Sequence, residues 1–532
     1  MKQLLKNAKI YDGTGAEPFQ ADILVEDDRI VKIAERIEEQ ADCVMDLSGK
    51  SISSGFIDAH SHNDWFAIKE DPFPYFRPFL QQGITTFVTG NCGISAIGFE
   101  KGNPNADKLG GGIFGFRGTT GKYGTASEYF AATDRNMPCN MAVLAGHCSA
   151  RAAAGGNENR PLTPEEEKHM LGILEQALQE GACGLSLGLM YQPGLYADVE
   201  ELKKVAALCV KYNKPLTVHP RAEGKVSMAY PELLGRSHLL RAMDELVEVA
   251  KGTPLKLQYS HAIFIGTQSF RDKDELLKIF AKLREEGVDL MFDIYNETLG
   301  TSVISVILPA WYQGMNDKQR NSLMTKVKLS VMVHAASKML GFGFKDIQIA
   351  YMGPGYEKYE GKNVHQIAKE EGLSDLKAYL MLCEKSNFEG RVNMGPYSTT
   401  EIIHDLEHHP HVLYMTDAWV EDYGVQNPAI YDCFPKFLQD ALTGAGDTLP
   451  NTVRKMTGAV ADRFMLPERG YLKEGYYADL TVFDEDALKN GTPDQEKAFG
   501  IEKVFVNGKL VYNEGELDQA ALKTTGRAIA VR

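Results

Sequence analysis

Several things are scarce in this 532-residue chain, and each scarcity removes a class of protein. Its eight cysteines (43, 92, 139, 148, 183, 209, 383 and 433) are scattered, with no pair two residues apart. That usage excludes a disulfide framework and points to the cytoplasm. No run approaches the roughly 18 apolar residues of a membrane helix; the stretch from Val303 to Trp311 is far too short. Lys2, Lys6 and Lys9 interrupt the apolar core a signal peptide would need. Basic residues are outnumbered, leaving a formal charge of −15, so no nucleic acid and no membrane is expected as partner. There is no internal repeat and no low-complexity tract. The expected partner is a small molecule, with a homo-oligomer left open.

What is present is an ordinary globular composition, 44% hydrophobic and 9% aromatic, long enough for one large domain and one small. Both ends read as short strands between Gly, Asp and Ser turns. Examples are LLKNAKIYDGTG at the start and KAFGIEKVFVNGKLVYNEG near the end. Asn507-Gly508 between two apolar runs is a type I′ hairpin signal. A small β-sandwich domain is therefore predicted from residues 1–54 and 464–532.

The middle, 55–463, alternates apolar runs with amphipathic stretches. The runs are GFIDAHSH (55–62), TTFVTGNCG (85–93), MAVLAGH (141–147), CGLSLGL (183–189), LTVHPR (216–221), LKLQYSH (255–261), VDLMFDIY (288–295) and HVLYMTD (411–417). Between them, residues 163–182 place Leu171, Leu174, Ala177 and Leu178 on one helix face. Eight β–α units imply parallel strands with right-handed crossovers, hence an α/β protein of the (β/α)8 TIM-barrel type. Two segments exceed a minimal barrel. One is the glycine-rich GGGIFGFRGTTGKYG, expected as a mobile loop over the site; the other, about 300–400, is expected as a mostly helical insertion.

Most runs end in a titratable residue, where barrel active sites sit. His60 and His62 alternate along a strand and so share a face, able to bind one cation or simply to be solvated. Cys92 ends the second run, either as a buried small hydrophobe or as a thiolate ligand. His219, His261 and Asp417 end the fifth, sixth and eighth. On one barrel mouth, these six make a metal-ligand set, with Asp417 also able to carry a proton.

With those residues in view, the chain resembles the amidohydrolase superfamily and, within it, the N-acyl-D-amino-acid deacylases (D-aminoacylases). GFIDAHSH, VTGNCGIS, AGHCSAR, GLSLGLMYQPG, VHPRAE, SHAIF and the stretch TVRKMTGAVADRFMLPERGYLKEGYYADLTVFD carry the resemblance, which spans nearly the whole length. It implies a tight zinc site on Cys92, His219 and His261, with Cys92 as the bridging ligand. His60, His62 and Asp417 would hold a second, weaker divalent metal beside it. The fourth strand lacks the lysine that other binuclear members carboxylate. The resemblance also implies hydrolysis of a linear amide by metal-activated water, with Asp417 as general base and acid. Tyr191 and His147 are the residues expected to polarise the carbonyl. One departure stands out: D-aminoacylases continue the sixth-strand histidine as SHHK, and that lysine holds the substrate carboxylate. Here the sequence is Ser260-His261-Ala262-Ile263, so Arg221 and Arg391 become the candidate anion holders.

Other readings have less to rest on. A cyclic amide hydrolase of hydantoinase or dihydroorotase type would use the same barrel, but the missing carboxylated lysine counts against it. A non-catalytic assembly protein should have lost ligands, and none of the six is missing. GFRGTTGKY is no P-loop, since Tyr123 stands where Ser or Thr must hold magnesium. His404, His408, His409 and His411 read as the polar lead-in to the last strand.

Overall fold

A computed structural model of the chain describes residues 1–105, 122–227, 229–230, 235–313, 315–492 and 498–532. The glycine-rich segment expected to cover the site lies largely outside these residues.

Strands from both termini interleave in one nine-stranded sheet. Lys2–Tyr11 pairs with Phe19–Glu26 on one side and with Cys43–Asp46 and then Ser51–Ser54 on the other. Leu480–Phe483 joins Ser51–Ser54, which stitches the C-terminal strands to the N-terminal ones. All nine strands belong to one hydrogen-bonded network, with an irregularity between Leu5 and Ala8. Its core packs Leu5, Ile10, Ile23, Ile52, Leu480 and Phe505 together. The hairpin turns at Asn507 (φ 47°) and Gly508 (φ 77°), the left-handed pair that a type I′ turn requires.

The middle of the chain supplies eight parallel strands. They are β1 (Phe56–Ser61), β2 (Ile84–Thr89), β3 (Asn140–Val143, continued by Ala145–Gly146), β4 (Leu185–Gly188), β5 (Pro215–His219), β6 (Lys256–Tyr259), β7 (Asp289–Ile294) and β8 (Val412–Tyr414). Neighbours pair in sequence order: β1–β2–β3 in one sheet, and the end of β3 through β4, β5, β6 and β7 to β8 in the other. Leu144 links the two sheets by donating to Thr89, just past which β3 pairs with β4. At the far side the Asp417 N–H donates to the His60 carbonyl, bringing the end of β8 to the end of β1. Asp58 ties the same edges: it accepts from the His60 and Thr416 amides and from the Thr416 hydroxyl.

Helix Pro164–Gln179 starts on a Thr163–Glu166 capping box and buries Met170, Leu174, Ala177 and Leu178, while Leu171 stays half-buried. Between β7 and β8 the chain builds helices, the longest being Leu323–Leu340, but also an antiparallel sheet. Its strands are Gly300–Val303, Arg391–Met394 and Ile347–Tyr351. Helices predominate in this segment, and the small sheet is what the sequence reading missed. These strands are short, and their partners lie up to ninety-odd residues away, beyond what local periodicity reports. The last residues return to the parallel strands, with Ile529 donating to Met141 and Val531 to Gly181.

Candidate metal centre

Local geometry at the strand ends turns the six candidate side chains inward. Cys92, His261 and Asp417 all take left-handed backbone, with φ of 53°, 33° and 48°. Such conformations cost a non-glycine residue about 1–3 kcal/mol each and persist only when surroundings over-determine them. The turn carrying Cys92 also presses on β4: a Cβ on Gly188 would collide with the Cys92 carbonyl. GNCG and GLSLG are therefore two halves of one close backbone approach.

Around the Cys92 sulfur lie His60 Nε2 at 3.4 Å, His261 Nε2 at 3.5 Å and His219 Nδ1 at 3.6 Å. His219 Nδ1 and His261 Nε2 are 2.8 Å apart. Asp417 Oδ1 sits 3.5 Å from His60 Nε2 and 3.4 Å from His62 Nε2. All are buried except Asp417, whose side chain is 24% exposed and opens to the cavity. The groups of ligand atoms close enough to hold one ion include His60–Cys92–His261 and His60–His62–Asp417.

Behind this set stand carboxylates not anticipated from sequence. Glu223 lies 2.5 Å from His261 Nδ1 and 3.6 Å from His219 Nε2. Asp293 lies 3.5 Å from His60 Nδ1 and accepts from the His261 amide at 2.6 Å and from Gln258 at 2.7 Å. A carboxylate behind an imidazole keeps the proton on the outer nitrogen, so the inner one presents a lone pair. His219 Nδ1 and His261 Nε2 face each other at 2.8 Å, an approach that needs either a proton on one of them or a cation shared by both. The charges agree: burial pulls the His60 imidazole down, yet Cys92, Asp293 and Asp417 together push it up to about 10. Burial likewise raises the Cys92 thiol, but His60, His219 and His261 outweigh it and hold it well below the usual thiol range. The cage calls for positive charge, and its donor set of one thiolate, four imidazoles and a carboxylate fits a divalent cation.

The other anticipated residues fare differently. Tyr191 lines the cavity with its ring 4.7 Å from that of His219, and burial keeps its phenol protonated far above the usual range. Tyr295 and Tyr397, passed over in sequence, line the same cavity and are shifted the same way by burial. His147 is corrected: it is buried away from the cavity wall, its Nε2 2.7 Å from Glu201, which also accepts from Arg151. Both arginines are corrected as anion holders. Arg221 reaches the cavity, but its Nε and Nη2 bind Glu245, Nη2 also Ala197 O, and Nη1 Leu195 O. Arg391 lies off the cavity, paired with Glu421 at 3.0 Å and donating to the Tyr423 and Val425 carbonyls. Elsewhere, His404 comes within 3.5 Å of Asp440 beside the fully buried Glu407, a grouping that sequence had left as a polar lead-in.

No family model matches the chain. Among curated proteins it is 27% identical over 524 residues to a D-aminoacylase from Alcaligenes xylosoxydans xylosoxydans, covering 96% of this chain and 94% of that one. Among solved structures it resembles an N-acyl-D-glutamate deacylase from Bordetella bronchiseptica, complexed with zinc and a phosphonate mimic of the tetrahedral intermediate. That match has a TM-score of 0.79 and 26% identity over 99% of both chains. A D-aminoacylase structure described as defining a novel subset of amidohydrolases matches with a TM-score of 0.78, also at 26% identity.

Proposed function

We propose that this chain, homologous to the D-aminoacylases along its whole length, is a metal-dependent hydrolase of linear amides that removes the acyl group from an N-acyl-D-amino acid or a related N-acyl compound. The observation that carries the reading is the convergence of His60, His219 and His261 on the Cys92 sulfur, each with a ring nitrogen within 3.6 Å of it, backed by Glu223 and Asp293.

In this reading Cys92, His219 and His261 hold a tight divalent ion, with His60, His62 and Asp417 flanking a weaker second one. Zinc suits the tight position, because a thiolate with imidazoles is the donor set it favours. A bound divalent ion supplies Lewis acidity, making water a nucleophile near neutral pH and polarising the carbonyl. The protein's own groups do the rest. Asp417 is a carboxylate at rest: burial raises it, but His60 and His62 win and hold it below its ordinary value. It can therefore take the water proton and return it to the leaving amine. Tyr191 keeps its proton and can donate it as a hydrogen bond to the developing oxyanion. Glu223 and Asp293 fix the imidazoles.

The scaffold proposed is a (β/α)8 barrel over 55–463, supported by the sequential parallel pairing and by the link from Asp417 to His60. The terminal domain would comprise 1–54 and 464–532. Cytoplasmic residence is supported by eight free cysteines; no helix among the described residues is long and apolar enough to cross a membrane. Self-association is supported by Leu323, Met324, Val327 and Val331, exposed along one helix, and sedimentation would test it. The absence of a lysine on β4 counts against the cyclic-amide alternative.

The test is elemental analysis of the purified protein together with a turnover screen of N-acyl-D- and N-acyl-L-amino acids and their neutral derivatives. Near-stoichiometric zinc with release of the free amine from a linear amide is expected. A metal-free protein, or one active only on cyclic amides, would refute the proposal.

A further inference from the structure

The cavity that opens on Asp417 encloses about 730 Å³, well into the range of pockets that hold drug-sized ligands. It is larger than a short N-acyl amino acid needs, and the extra room is apolar. Beyond the ligands it runs between Ile263 and Ile265 on one side and the insertion on the other. There, Val306 and Ile307 precede the helix Leu323–Leu340, which contributes Met332, Val333 and Leu340. Among the described residues the only arginine or lysine lining the cavity is Arg221, and its Nε, Nη1 and Nη2 are all engaged with Glu245 and two carbonyls. Glu223 also reaches the cavity lining, but its carboxylate is engaged with His261.

From this we infer that the substrate is an N-acyl compound with an extended apolar chain and no free carboxylate on its amine side. The inference rests on the amide-hydrolase reading above and names the substrate class of that site. A carboxylate on the amine side would lose its water without meeting an uncommitted arginine or lysine among the described lining residues. An alkyl chain between Ile265, Val306 and Leu340 would exchange water for hydrocarbon at those contacts, while Ser302, Ser305 and Ser337 also line the cavity. The space is made by the insertion, which makes that segment the specificity element of the enzyme.

The experiment compares the zinc-loaded enzyme on four probes: N-acetyl-D-leucine, N-octanoyl-D-leucine and the N-methylamide of each. Burial of a methylene favours binding about fourfold at most. Six added methylenes could therefore raise kcat/KM at most about 4,000-fold, and about 100-fold is expected after ordering costs, with about tenfold more on removing the carboxylate. Ala336 also lines the cavity, and Ala336→Trp should pull the octanoyl value down towards the acetyl one. Equal kcat/KM across the four probes, or a preference for the acetylated free acid, overturns the inference and leaves amide hydrolysis standing. The reverse failure is separable by calorimetry on the Asp417→Asn protein, which should bind while turning over about 10²-fold or more slowly. Octanoyl probes binding at least tenfold tighter than acetyl ones, with no wild-type turnover of any amide, would support the apolar chain site while sinking the hydrolase reading. Chain-independent binding there overturns the inference as well.

Discussion

Replacing Glu223 by glutamine isolates what a residue outside the ligand set contributes to the metal. Glu223 presents one oxygen 2.5 Å from His261 Nδ1 and the other 3.6 Å from His219 Nε2. Glutamine fits the same space but offers one acceptor and one donor. If its oxygen keeps the short contact to His261, its NH2 group points at His219 Nε2. An N–H facing an N–H is disfavoured there, which tilts His219 towards the tautomer with its proton on Nδ1, the atom that faces Cys92 and His261. That protonated nitrogen can no longer donate a lone pair to a cation. A buried polar group left wrongly paired costs about 1–3 kcal/mol. Loss of such an outer carboxylate typically weakens metal affinity about 10- to 100-fold, or about 1.4–2.7 kcal/mol, and the two routes agree. Chelator competition should show that loss, while the metal-free variant melts within a degree or two of the metal-free wild type. Saturating zinc should then stabilise the variant less than the wild type by the same free energy. Wild-type affinity in both Glu223→Gln and Glu223→Ala would refute the reasoning, because no imidazole would then depend on Glu223 for its tautomer.

Three further outcomes are expected. Cys92→Ala should lose most bound zinc and nearly all turnover while keeping its circular dichroism spectrum, since it removes the only soft ligand from the centre; near-stoichiometric zinc with normal turnover would contradict it. Asp417→Asn should retain the tight metal but turn over about 10²-fold or more slowly, as loss of a proton carrier does; loss of metal at an unchanged rate would make it a structural ligand instead. Glu407, raised to about 9 by burial and by the Asp440 charge, binds its proton more tightly folded than unfolded, so its contribution to stability falls as pH climbs from the ordinary glutamate range towards 9. Glu407→Gln, which mimics the protonated form, should gain on the wild type by at most about 1.4 kcal/mol per pH unit across that window. Melting curves at pH 5 and pH 8 showing the same difference would rule this out.

What sequence reveals and hides here follows from how far each partner lies along the chain. His60, His62, Cys92, His219, His261 and Asp417 are legible because each closes an apolar run, and both facts sit within one short window. The terminal hairpin is legible for the same reason, its turn chemistry being held in two residues. The arginines mislead because a guanidinium's role depends on what it meets. Arg221 meets Glu245 on the following helix, and Arg391 meets Glu421 beyond β8, so neither commitment leaves a local trace. Glu223 is hidden differently. It stands in the same VHPRAE motif as His219, but its meaning comes from His261, which reaches it only because β5 and β6 pair in register. Their register places Val218 opposite Tyr259, so the chain just past each strand rises on the same side of the sheet. There the left-handed turn at His261 swings its ring back over Glu223. A histidine leaving the strand in ordinary extended backbone would carry its ring elsewhere. Without that turn His219 would keep Glu223 to itself, and the two inner nitrogens would not face each other. The strained backbone at His261 is thus part of how the ligand pair is made.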